Sequence, residues 1–348
     1  MKKIDRLNLK SKRVLLRVDF NVPMEKGKIL DDFRIKIEIP VIKKLIRKKA
    51  KIILISHLGR PEGEFKEEFS LTPIKKLLEK YLKRKVLGPL KIERAKEEIE
   101  RMKDGDVLLL ENIRFYKGEI ESDENFAKDL AKLGNLFVND AFSVSHRNQA
   151  SVTTITKYLP SFGGPNLISE VENLSKILKK PKRPLVVIIG GKKVEDKAKV
   201  VEKFSQFADF VLVGNLVANE IKKGRVKVKN REKVIFPVED KEAFDLDQKT
   251  IEIFKEKIKI AKTVFWSGPL GKIEEKKYQK GTLEIVKEIG RLKRKLFSVV
   301  GGGDTIEFLN RFSLLKKFSF VSSGGGAMLE FLVGEKIPGL KVLGYYGD

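Results

Sequence analysis

Short apolar segments alternate with amphipathic segments along the whole chain, and this alternation limits the fold more than any other feature. The apolar segments are rich in Val, Ile, Leu and Phe, which is typical of strands covered on both faces of a sheet. Strands are predicted at residues 14–20, 51–56, 107–110, 136–139, 185–189, 210–213, 234–236, 263–266, 296–300 and 318–321. Strands that alternate with helices indicate parallel sheets joined by crossover helices, so the predicted fold class is α/β.

So many strands are unusual in one open sheet, and we therefore expect two domains. The Gly/Pro-rich stretch at 160–165 is a candidate hinge, and residues 166–180 are predicted to form a helix that connects the domains. The N-terminal domain is expected over residues 1–160, and the C-terminal domain over residues 181–330.

The composition excludes several classes of protein. The chain of 348 residues has no cysteine, so disulfide bonds, cysteine-based zinc sites and thiol nucleophiles are excluded. The N-terminus lacks the apolar segment of a secretory signal, and no apolar run approaches the ~18 residues of a membrane span, so we expect a cytoplasmic protein. The net charge of +25 favours anionic substrates, but the basic residues are scattered rather than grouped as in nucleic-acid-binding tails.

Glycine clusters directly follow predicted strands in the second half of the chain. They lie at Gly190–Gly191, Gly214, Gly301–Gly303 and Gly324–Gly326. Ligands of open parallel sheets bind beyond the carboxyl ends of the strands, where glycine lets backbone N–H groups approach a phosphate closely. One such cluster is compatible with a simple turn, but four at equivalent positions predict a polyphosphate site. The sequence strings of a P-loop and of a dinucleotide-binding turn are both absent.

Asp304 and Thr305 follow the triple glycine at the predicted start of a helix. A carboxylate beside a phosphate site requires a cation, and Mg²⁺ binds one or two carboxylates together with phosphate oxygens. Aspartate is also a common N-cap, and both roles are compatible with this position.

Arginine or histidine follows each predicted strand in the first half of the chain. The residues concerned are Arg34, His57, Arg60, Arg114, His146 and Arg147, while Asp19 and Asn21 lie at the end of the first strand. Arginine favours bidentate contacts with phosphate or carboxylate. A single surface arginine is compatible with an ordinary ion pair, whereas the repeated placement predicts an anion-binding pocket. Together, the two halves have the layout of a kinase whose domains close around two phosphate-bearing substrates.

Eight strings occur in the order found in phosphoglycerate kinases, and the resemblance extends from Arg17 to about Gly339. The strings are RVDFNVP, SHLGRP, LLENIRF, NDAF with the following HR, GGKKVEDK, WSGPLG, GGGDT and SSGGGA. The resemblance implies reversible phosphoryl transfer from 1,3-bisphosphoglycerate to Mg-ADP, which gives 3-phosphoglycerate and Mg-ATP. It also implies a monomer with two Rossmann-like three-layer domains, in which a C-terminal tail of about residues 331–348 packs on the N-terminal domain.

The resemblance also implies individual roles for the residues in these strings. Phosphoglycerate would be held by Asp19, Asn21, Arg34, His57, Arg60, Arg114 and Arg147. The nucleotide would be held by Gly191, Lys197, Gly214, Glu274, Gly302, Gly303, Asp304, Thr305, Gly324 and Gly325, with Glu274 at the ribose and Asp304 as the Mg²⁺ ligand. The transferring phosphoryl group would be stabilised by Arg34, Lys193, Gly303 and Gly326.

The chain departs from the family pattern around the expected adenine pocket. It is shorter than usual for the family between residues 215 and 262, and Asn215 stands where a second glycine is usual. Residues 244–250, FDLDQKT, lack the usual glycines and proline of that segment. Ser267 replaces an asparagine, and residues 143–145 replace Gly-Thr-Ala. The residues expected to act in phosphoryl transfer are all present.

Two alternative functions remain open at this point. One is a different phosphate-handling α/β kinase or synthetase, which would share the glycine turns but need not carry both histidine–arginine loops. The other is a basic nucleic-acid-binding protein on an inactive kinase fold, which the net charge favours because phosphate neutralisation drives such binding.

Overall fold

A computed structural model describes residues 1–4, 7–238 and 244–347 of the chain. The chain divides into two compact units. The first unit comprises Met1–Ser169 and Lys336–Asp348, and the second unit comprises Glu170–Glu335. Within the described ranges, each unit contains one six-stranded parallel sheet, so the fold class is α/β as predicted.

The sheet of the first unit has the strand order β5–β6–β4–β1–β7–β8. The strands of this unit are β1 (Arg13–Arg17), β2 (Met24–Glu25), β3 (Lys28–Ile29), β4 (Lys51–Ile55), β5 (Leu87–Leu90), β6 (Val107–Leu110), β7 (Leu136–Asn139) and β8 (Ser161–Gly163). β2 and β3 form a separate antiparallel hairpin. The helices are α1 (Phe33–Arg47), α2 (Thr72–Leu82), α3 (Ile92–Arg101), α4 (Lys117–Ile120) and α5 (Glu124–Ala131).

The sheet of the first unit is buried on both faces, which explains its nearly continuous apolar strands. Val14 and Leu16 of β1 pack in one core together with apolar residues of α1 and α2. Leu15 points the other way and packs in a second core with residues of α3 and α5. Successive side chains of a strand point to opposite faces, so a strand between two helical layers has no polar side.

The sheet of the second unit has the strand order β11–β10–β9–β12–β13–β14. Its strands are β9 (Leu185–Ile189), β10 (Phe210–Val213), β11 (Val234–Ile235), β12 (Thr263–Ser267), β13 (Phe297–Gly301) and β14 (Phe320–Ser322). The helix α6 (Pro165–Leu178) contains the boundary between the units, and it is followed by α7 (Glu195–Phe207), α8 (Asn215–Lys222), α9 (Gln248–Ile260), α10 (Lys280–Arg291), α11 (Gly303–Arg311) and α12 (Gly325–Val333).

The unit boundaries differ from the sequence prediction in both places. The stretch at 160–165, predicted as a hinge, contains β8, which pairs with β7 and therefore belongs to the first sheet. The first boundary lies instead within α6, between Ser169 and Glu170. At the other end, α12 belongs to the second unit because its Met328 packs against Gly301, so the return to the first unit begins at Lys336 rather than at 331.

The returning segment packs closely on the first unit. It contains the short helix α13 (Pro338–Lys341), in which Leu340 is buried. The backbone N–H of Gly339 donates to the carbonyl oxygen of Ser145 at 2.8 Å, and a Cβ at Gly339 would lie 3.0 Å from the Val152 side chain. In the part of the chain that the structure describes, no helix combines the length and apolar character needed to span a membrane.

Strand register places the functional loops of each unit at one edge of its sheet. In the second sheet, Ser267 at the end of β12 pairs with Ile189 at the end of β9 and with Gly301 at the end of β13. In the first sheet, Arg17 at the end of β1 pairs with Ile55 of β4 and Asn139 of β7. The segments that follow these strands are therefore neighbours.

Candidate functional site

Asp19, which follows β1, joins three segments at the edge of the first sheet. Its Oδ1 accepts a 3.0 Å hydrogen bond from the backbone N–H of Asn21, and its Oδ2 accepts hydrogen bonds from Arg34 Nη1 and Ser143 Oγ. Asn21 Oδ1 in turn accepts a 2.9 Å hydrogen bond from the N–H of Gly59. These contacts place the start of α1 and the loops after β4 and β7 around one polar cluster. Ser143 is one of the serines that depart from the family pattern, and here it hydrogen-bonds to the buried Asp19.

Arg114 presents unpaired donors at the same edge. It follows β6 in a short turn that Asn112 caps, because Asn112 Oδ1 accepts a 3.1 Å hydrogen bond from the Arg114 N–H. Arg114 Nη1 donates to the carbonyl oxygen of Gly59 at 2.8 Å. Its Nε and Nη2 atoms are buried and have no partner among the described residues. Buried donors are normally paired, so this guanidinium is arranged for an acceptor that the chain itself does not supply.

Arg17, the last residue of β1, is fully buried at the same edge and was not among the predicted site residues. It donates to Ser151 Oγ at 3.0 Å and lies 3.3 Å from His57 Nδ1. The sequence contained one signal for it, a charge inside an otherwise apolar strand. Its buried partner Ser151 lies 134 positions away along the chain and hydrogen-bonds in turn to Glu119, and no local pattern indicates these contacts.

Positive charge is concentrated around this cluster, as the side-chain pKa values show. Burial, followed by the charges of Arg17 and Arg147, lowers the pKa of Arg114 to about 9. Burial, and then Arg114 and Arg17, lower the pKa of His57 well below its usual value. Burial and then Arg147 lower the pKa of His146 to about 4, and its Nδ1 is buried without a partner among the described residues. Both histidines are therefore neutral near pH 7.

The structure brings together most of the basic residues predicted for this pocket, with one exception. Arg34, Arg114 and Arg147 all lower the pKa of His57 through their charges, so all three lie in its neighbourhood. Arg60, by contrast, is exposed and makes no hydrogen bond or ion pair with any described residue. Its location after β4 places it at the correct edge of the sheet, but its side chain is not part of the cluster.

In the second unit, the loops after β9 and β12 approach so closely that only glycine fits. A Cβ on Gly268 would lie 1.9 Å from the carbonyl oxygen of Gly190, and a Cβ on Gly190 would lie 2.2 Å from the carbonyl oxygen of Pro269. Gly268 also has a φ of +88°, which favours glycine. Gly214 also packs against Gly190, since a Cβ added at Gly214 would lie 3.4 Å from Gly190 Cα.

Lys197, in the first turn of α7, places a positive charge where the loops after β9 and β12 approach each other. Its Nζ donates to the carbonyl oxygen of Gly190, and the residue is 9 % exposed. A Cβ on Gly191 would lie 2.5 Å from Nζ, and one on Gly268 would lie 2.6 Å from it. The ammonium group thus lies among glycine backbones at the edge where phosphates bind in parallel sheets.

The GGGDT segment forms the start of α11 at this edge. Gly302 is the N-cap residue with a φ of +98°, and a Cβ added there would lie 3.4 Å from Ser267 Oγ. A Cβ on Gly303 would meet nothing within 4 Å, so this backbone borders open space. Thr305 Oγ1 is buried and has no partner among the described residues. The first turn of α11 therefore offers backbone and hydroxyl donors, as a phosphate requires.

Asp304 is exposed in the same helical turn, and Gly302 rather than Asp304 is the N-cap. Among the described residues, no group of three or more His, Asp or Glu side chains is arranged to hold a metal ion. A lone carboxylate beside a phosphate site fits Mg²⁺ only if phosphate oxygens of a ligand complete the coordination.

The fourth glycine cluster, Gly324–Gly326, follows β14, and the buried carboxylate of Glu170 contacts the serine that precedes it. Glu170 Oε1 accepts a 2.6 Å hydrogen bond from the N–H of Ser323 and a 3.0 Å hydrogen bond from its Oγ. Gly324 is the N-cap of α12, Gly325 begins the helix with a φ of +53°, and Gly326 is exposed. The helix N-terminus therefore faces the same edge as that of α11.

Two predicted residues of the second unit lie on its surface. Glu274 forms a 2.6 Å ion pair with Lys192, and the hydrogen bond from Lys192 lowers the pKa of Glu274. Asp304 also contributes to raising the pKa of Lys192, after Glu274, so the three side chains are close. Lys193 is exposed and forms no hydrogen bond or ion pair with the described residues.

The segment at 244–250, which departs from the family pattern, anchors two helices. Asp247 caps α9 by accepting a 2.8 Å hydrogen bond from the N–H of Thr250. Asp245 accepts hydrogen bonds from the N–H of Gly281 at the start of α10, and its carbonyl oxygen accepts from Asn215 Nδ2 at 2.8 Å. Asn215, which replaces a glycine, therefore links α8 to this segment.

Comparisons with known proteins agree with the motifs. The family model described as phosphoglycerate kinase matches residues 4–228 and 216–335. A phosphoglycerate kinase of Dictyoglomus turgidum is 40 % identical, with 97 % of this chain and 96 % of that protein covered. A phosphoglycerate kinase of Pelotomaculum thermopropionicum is 36 % identical, with 97 % of both covered.

Solved structures show the same likeness. The phosphoglycerate kinase of Pyrococcus horikoshii superposes with a TM-score of 0.89 at 30 % identity, covering 99 % of this chain and 98 % of that one. The enzyme of Coxiella burnetii gives a TM-score of 0.83 at 34 % identity, covering 99 % of both chains. These matches favour this family over any other phosphate-handling kinase or synthetase. The chain belongs to the phosphoglycerate kinase family.

Proposed function

We propose that this chain catalyses the reversible transfer of a phosphoryl group from 1,3-bisphosphoglycerate to Mg-ADP, the glycolytic reaction that yields 3-phosphoglycerate and Mg-ATP. The observation that supports this most strongly is Arg114, whose two buried N–H-bearing atoms lack partners among the described residues. The charges of Arg114, Arg34 and Arg147 all act on the neutral ring of His57, so these side chains share one neighbourhood. A small organic anion supplies the acceptors that these donors lack.

In this proposal, the first unit binds phosphoglycerate. The contacting residues are Asp19, Asn21, Arg34, His57, Arg60, Arg114 and Arg147. Arg34 is already oriented by Asp19, and Asn21 is held by Gly59, so the polar groups are arranged before the ligand binds. Arg60 starts from the solvent-exposed edge and would reach the ligand by a side-chain rotation.

The second unit would bind the nucleotide through backbone N–H groups and a few side chains. The residues are Gly191, Lys197, Gly214, Glu274, Gly302, Gly303, Asp304, Thr305, Gly324 and Gly325. The open space at Gly303 and the unpartnered hydroxyl of Thr305 support a phosphate at the start of α11. Asp304 would hold Mg²⁺ together with phosphate oxygens, and the ion would neutralise their charge.

The reaction itself requires positioning and charge stabilisation. An oxygen of the ADP β-phosphate forms a bond to the acyl-phosphate phosphorus, while the bond to the acyl oxygen breaks and the carboxylate leaves with the electron pair. No protein base is needed, because neither the nucleophile nor the leaving group exchanges a proton. Arg34, Lys193 and the N–H groups of Gly303 and Gly326 would stabilise the transferring group. Because the two substrates bind different units, the units have to close before transfer.

A coupled assay with 3-phosphoglycerate and ATP tests this function directly. We expect ADP formation that requires both substrates and Mg²⁺, and a matched assay with GTP would define the nucleotide preference. Absence of turnover with every nucleoside triphosphate would refute the proposal. The nucleic-acid-binding alternative has no support in the comparisons. A monomer in the cytoplasm belongs to the same proposal, and light scattering on the purified chain tests the monomeric state.

A further inference from the structure

A chain of hydrogen bonds runs through the interior of the first unit from Glu119 to His57. Glu119 accepts hydrogen bonds from the N–H of Ser151 at 2.8 Å and from its Oγ at 2.7 Å. Ser151 Oγ accepts a 3.0 Å hydrogen bond from Arg17 Nε. Arg17 Nη1 donates to the carbonyl oxygen of Val18 at 2.7 Å, and Nη2 lies 3.3 Å from His57 Nδ1. The side chains of Glu119, Ser151, Arg17 and His57 are all buried.

The contact between Arg17 and His57 has one possible polarity. A guanidinium group only donates hydrogen bonds, so His57 Nδ1 is the acceptor and carries no proton. The ring proton then lies on Nε2, and no described residue accepts a hydrogen bond from it. A doubly protonated ring would place two N–H groups against each other at this contact.

We propose that Glu119, Ser151 and Arg17 are positioning residues that hold His57 as the neutral Nε2–H tautomer, which donates a hydrogen bond to bound phosphoglycerate. The ligand in this statement rests on the proposed function, whereas the tautomer follows from the contacts within the chain. A neutral ring can donate this hydrogen bond without adding to the positive charge of the surrounding arginines.

The charges along the chain of hydrogen bonds agree with this arrangement. Burial lowers the pKa of Arg17, and Glu119 is the largest influence that opposes the shift. Burial raises the pKa of Glu119, and Arg17 is the largest influence that opposes it. The two buried charges therefore compensate each other through Ser151. Burial and then Arg114 lower the pKa of His57, so the ring stays neutral in slightly acidic solution as well.

The tautomer can be measured directly in the full-length chain by ¹H–¹⁵N correlation of histidine-labelled protein. The chain has only two histidines, so His146→Gln assigns the signals of His57. We expect the ¹⁵N shift of an unprotonated Nδ1 and of a protonated Nε2, unchanged from pH 5.5 to 8.5. A protonated Nδ1, a mixture of tautomers or an imidazolium at pH 6 would overturn the proposal.

Two variants test the positioning residues. Arg17→Lys keeps the positive charge but carries all its donors on one nitrogen, which cannot replace the separate Nε, Nη1 and Nη2 atoms at Ser151, Val18 and His57. Glu119→Gln replaces one of the two accepting oxygens with an NH₂ group, so it loses one of the hydrogen bonds from Ser151. In both, we expect a mixture of tautomers and a KM for 3-phosphoglycerate raised on the order of tenfold, with a smaller change in kcat. A wild-type tautomer in folded Arg17→Lys would remove Arg17 from this role, and the same result in Glu119→Gln would remove Glu119.

A matched control is Glu111→Gln, which alters another buried carboxylate in the first unit. Glu111 accepts hydrogen bonds from the backbone N–H groups of Leu71 and Asn112 and has no contact with Arg17. We expect a lower melting temperature but an unchanged His57 tautomer. The tautomer is measured without substrate, so a chain inactive towards phosphoglycerate would refute the proposed function and leave this measurement intact. A changed tautomer in the control would show that lower stability alone alters the His57 ring, and it would contradict a specific role for Glu119, Ser151 and Arg17.

Discussion

The buried carboxyl groups of Glu38 and Asp140 lie beside the first turn of α6, where the side-chain amide of Asn166 joins them. The side-chain amide of Asn166 donates to Glu38 Oε2 and to Asp140 Oδ2, each at 3.1 Å. Asp140 Oδ1 also accepts hydrogen bonds from the N–H groups of Asn166 and Leu167, at 2.7 and 3.1 Å. The pair therefore fixes the start of the helix in which the boundary between the two units lies.

This carboxyl pair predicts a specific pH dependence of stability. Burial raises the pKa of Asp140 to about 6, and burial followed by the charge of Asp140 raises the pKa of Glu38 well above its usual value. Between pH 4 and these values, the folded chain binds protons that the unfolded chain has released. The free energy of unfolding therefore falls as the pH rises through this range. We expect Glu38→Gln to gain on the order of 1 kcal/mol relative to wild type between pH 5 and pH 8.

Urea unfolding of both proteins at several pH values measures this difference. Glu97→Gln alters an exposed carboxyl of α3, so its free energy of unfolding should differ from that of the wild type by the same amount at all pH values. A constant difference for Glu38→Gln as well would show that the pair does not retain its proton in the folded chain.

Substitution of Gly268, where the loops after β9 and β12 approach each other, should lower the free energy of unfolding more than substitution of a glycine with free space around it. Gly268→Ala places a methyl group against the carbonyl oxygen of Gly190, in addition to the strain of a φ of +88°. Gly224 has a φ of +74° with nothing within 4 Å, so Gly224→Ala incurs only the conformational cost. We expect a loss of about 1–2 kcal/mol for Gly224→Ala and a further ~1–3 kcal/mol for Gly268→Ala in the free energy of unfolding. Equal losses in chemical denaturation would mean that the two loops separate easily.

Gly303→Ala should impair nucleotide binding without harming the fold. The new methyl group would meet no protein atom within 4 Å, and alanine is favourable in a helix. It would instead occupy the space into which a phosphate has to come, so we expect an unchanged or higher melting temperature and a KM for the nucleotide raised at least about tenfold. Normal nucleotide kinetics in this variant would exclude a phosphate beside Gly303.

Lys193→Ala tests the role in charge stabilisation that the resemblance implies. Lys193 is exposed and has no partner among the described residues, so its loss should leave the fold and the melting temperature unchanged. We expect kcat to fall on the order of 10²- to 10⁵-fold, by analogy with other groups that stabilise transferring phosphoryl groups. Lys227→Ala, at another exposed lysine of the second unit, should have wild-type kinetics. Near-normal turnover of Lys193→Ala would remove this lysine from the mechanism.

The sequence predicted the elements whose signals are local. The inner strands are buried on both faces, so continuous apolar runs located them, and glycine clusters marked the ends of β9, β10, β13 and β14. It did not predict β5, because Gly88 with a φ of +90° and Pro89 interrupt the strand and shift its register. It also missed β8, whose glycines and proline are more typical of a loop.

The site was predictable where a residue type and a location coincide. Arginine after a strand indicated the cluster around Arg114, and the triple glycine indicated the start of α11. The contacts that organise these groups are not local: Arg17 donates to Ser151 across 134 positions, and Ser151 donates to Glu119 across 32 positions. Side-chain orientation is also set by tertiary packing, and for this reason the exposed Arg60 could not be distinguished from the buried Arg114.

The central claim is that each unit binds one of the two substrates, and calorimetric titration of full-length variants tests it most directly. We predict that Arg114→Met weakens 3-phosphoglycerate binding at least about tenfold and leaves the affinity for Mg-ADP unchanged, whereas Gly303→Ala has the opposite effects. If either variant weakened both ligands equally, or if Arg114→Met left phosphoglycerate binding intact, the assignment of one substrate to each unit would be wrong.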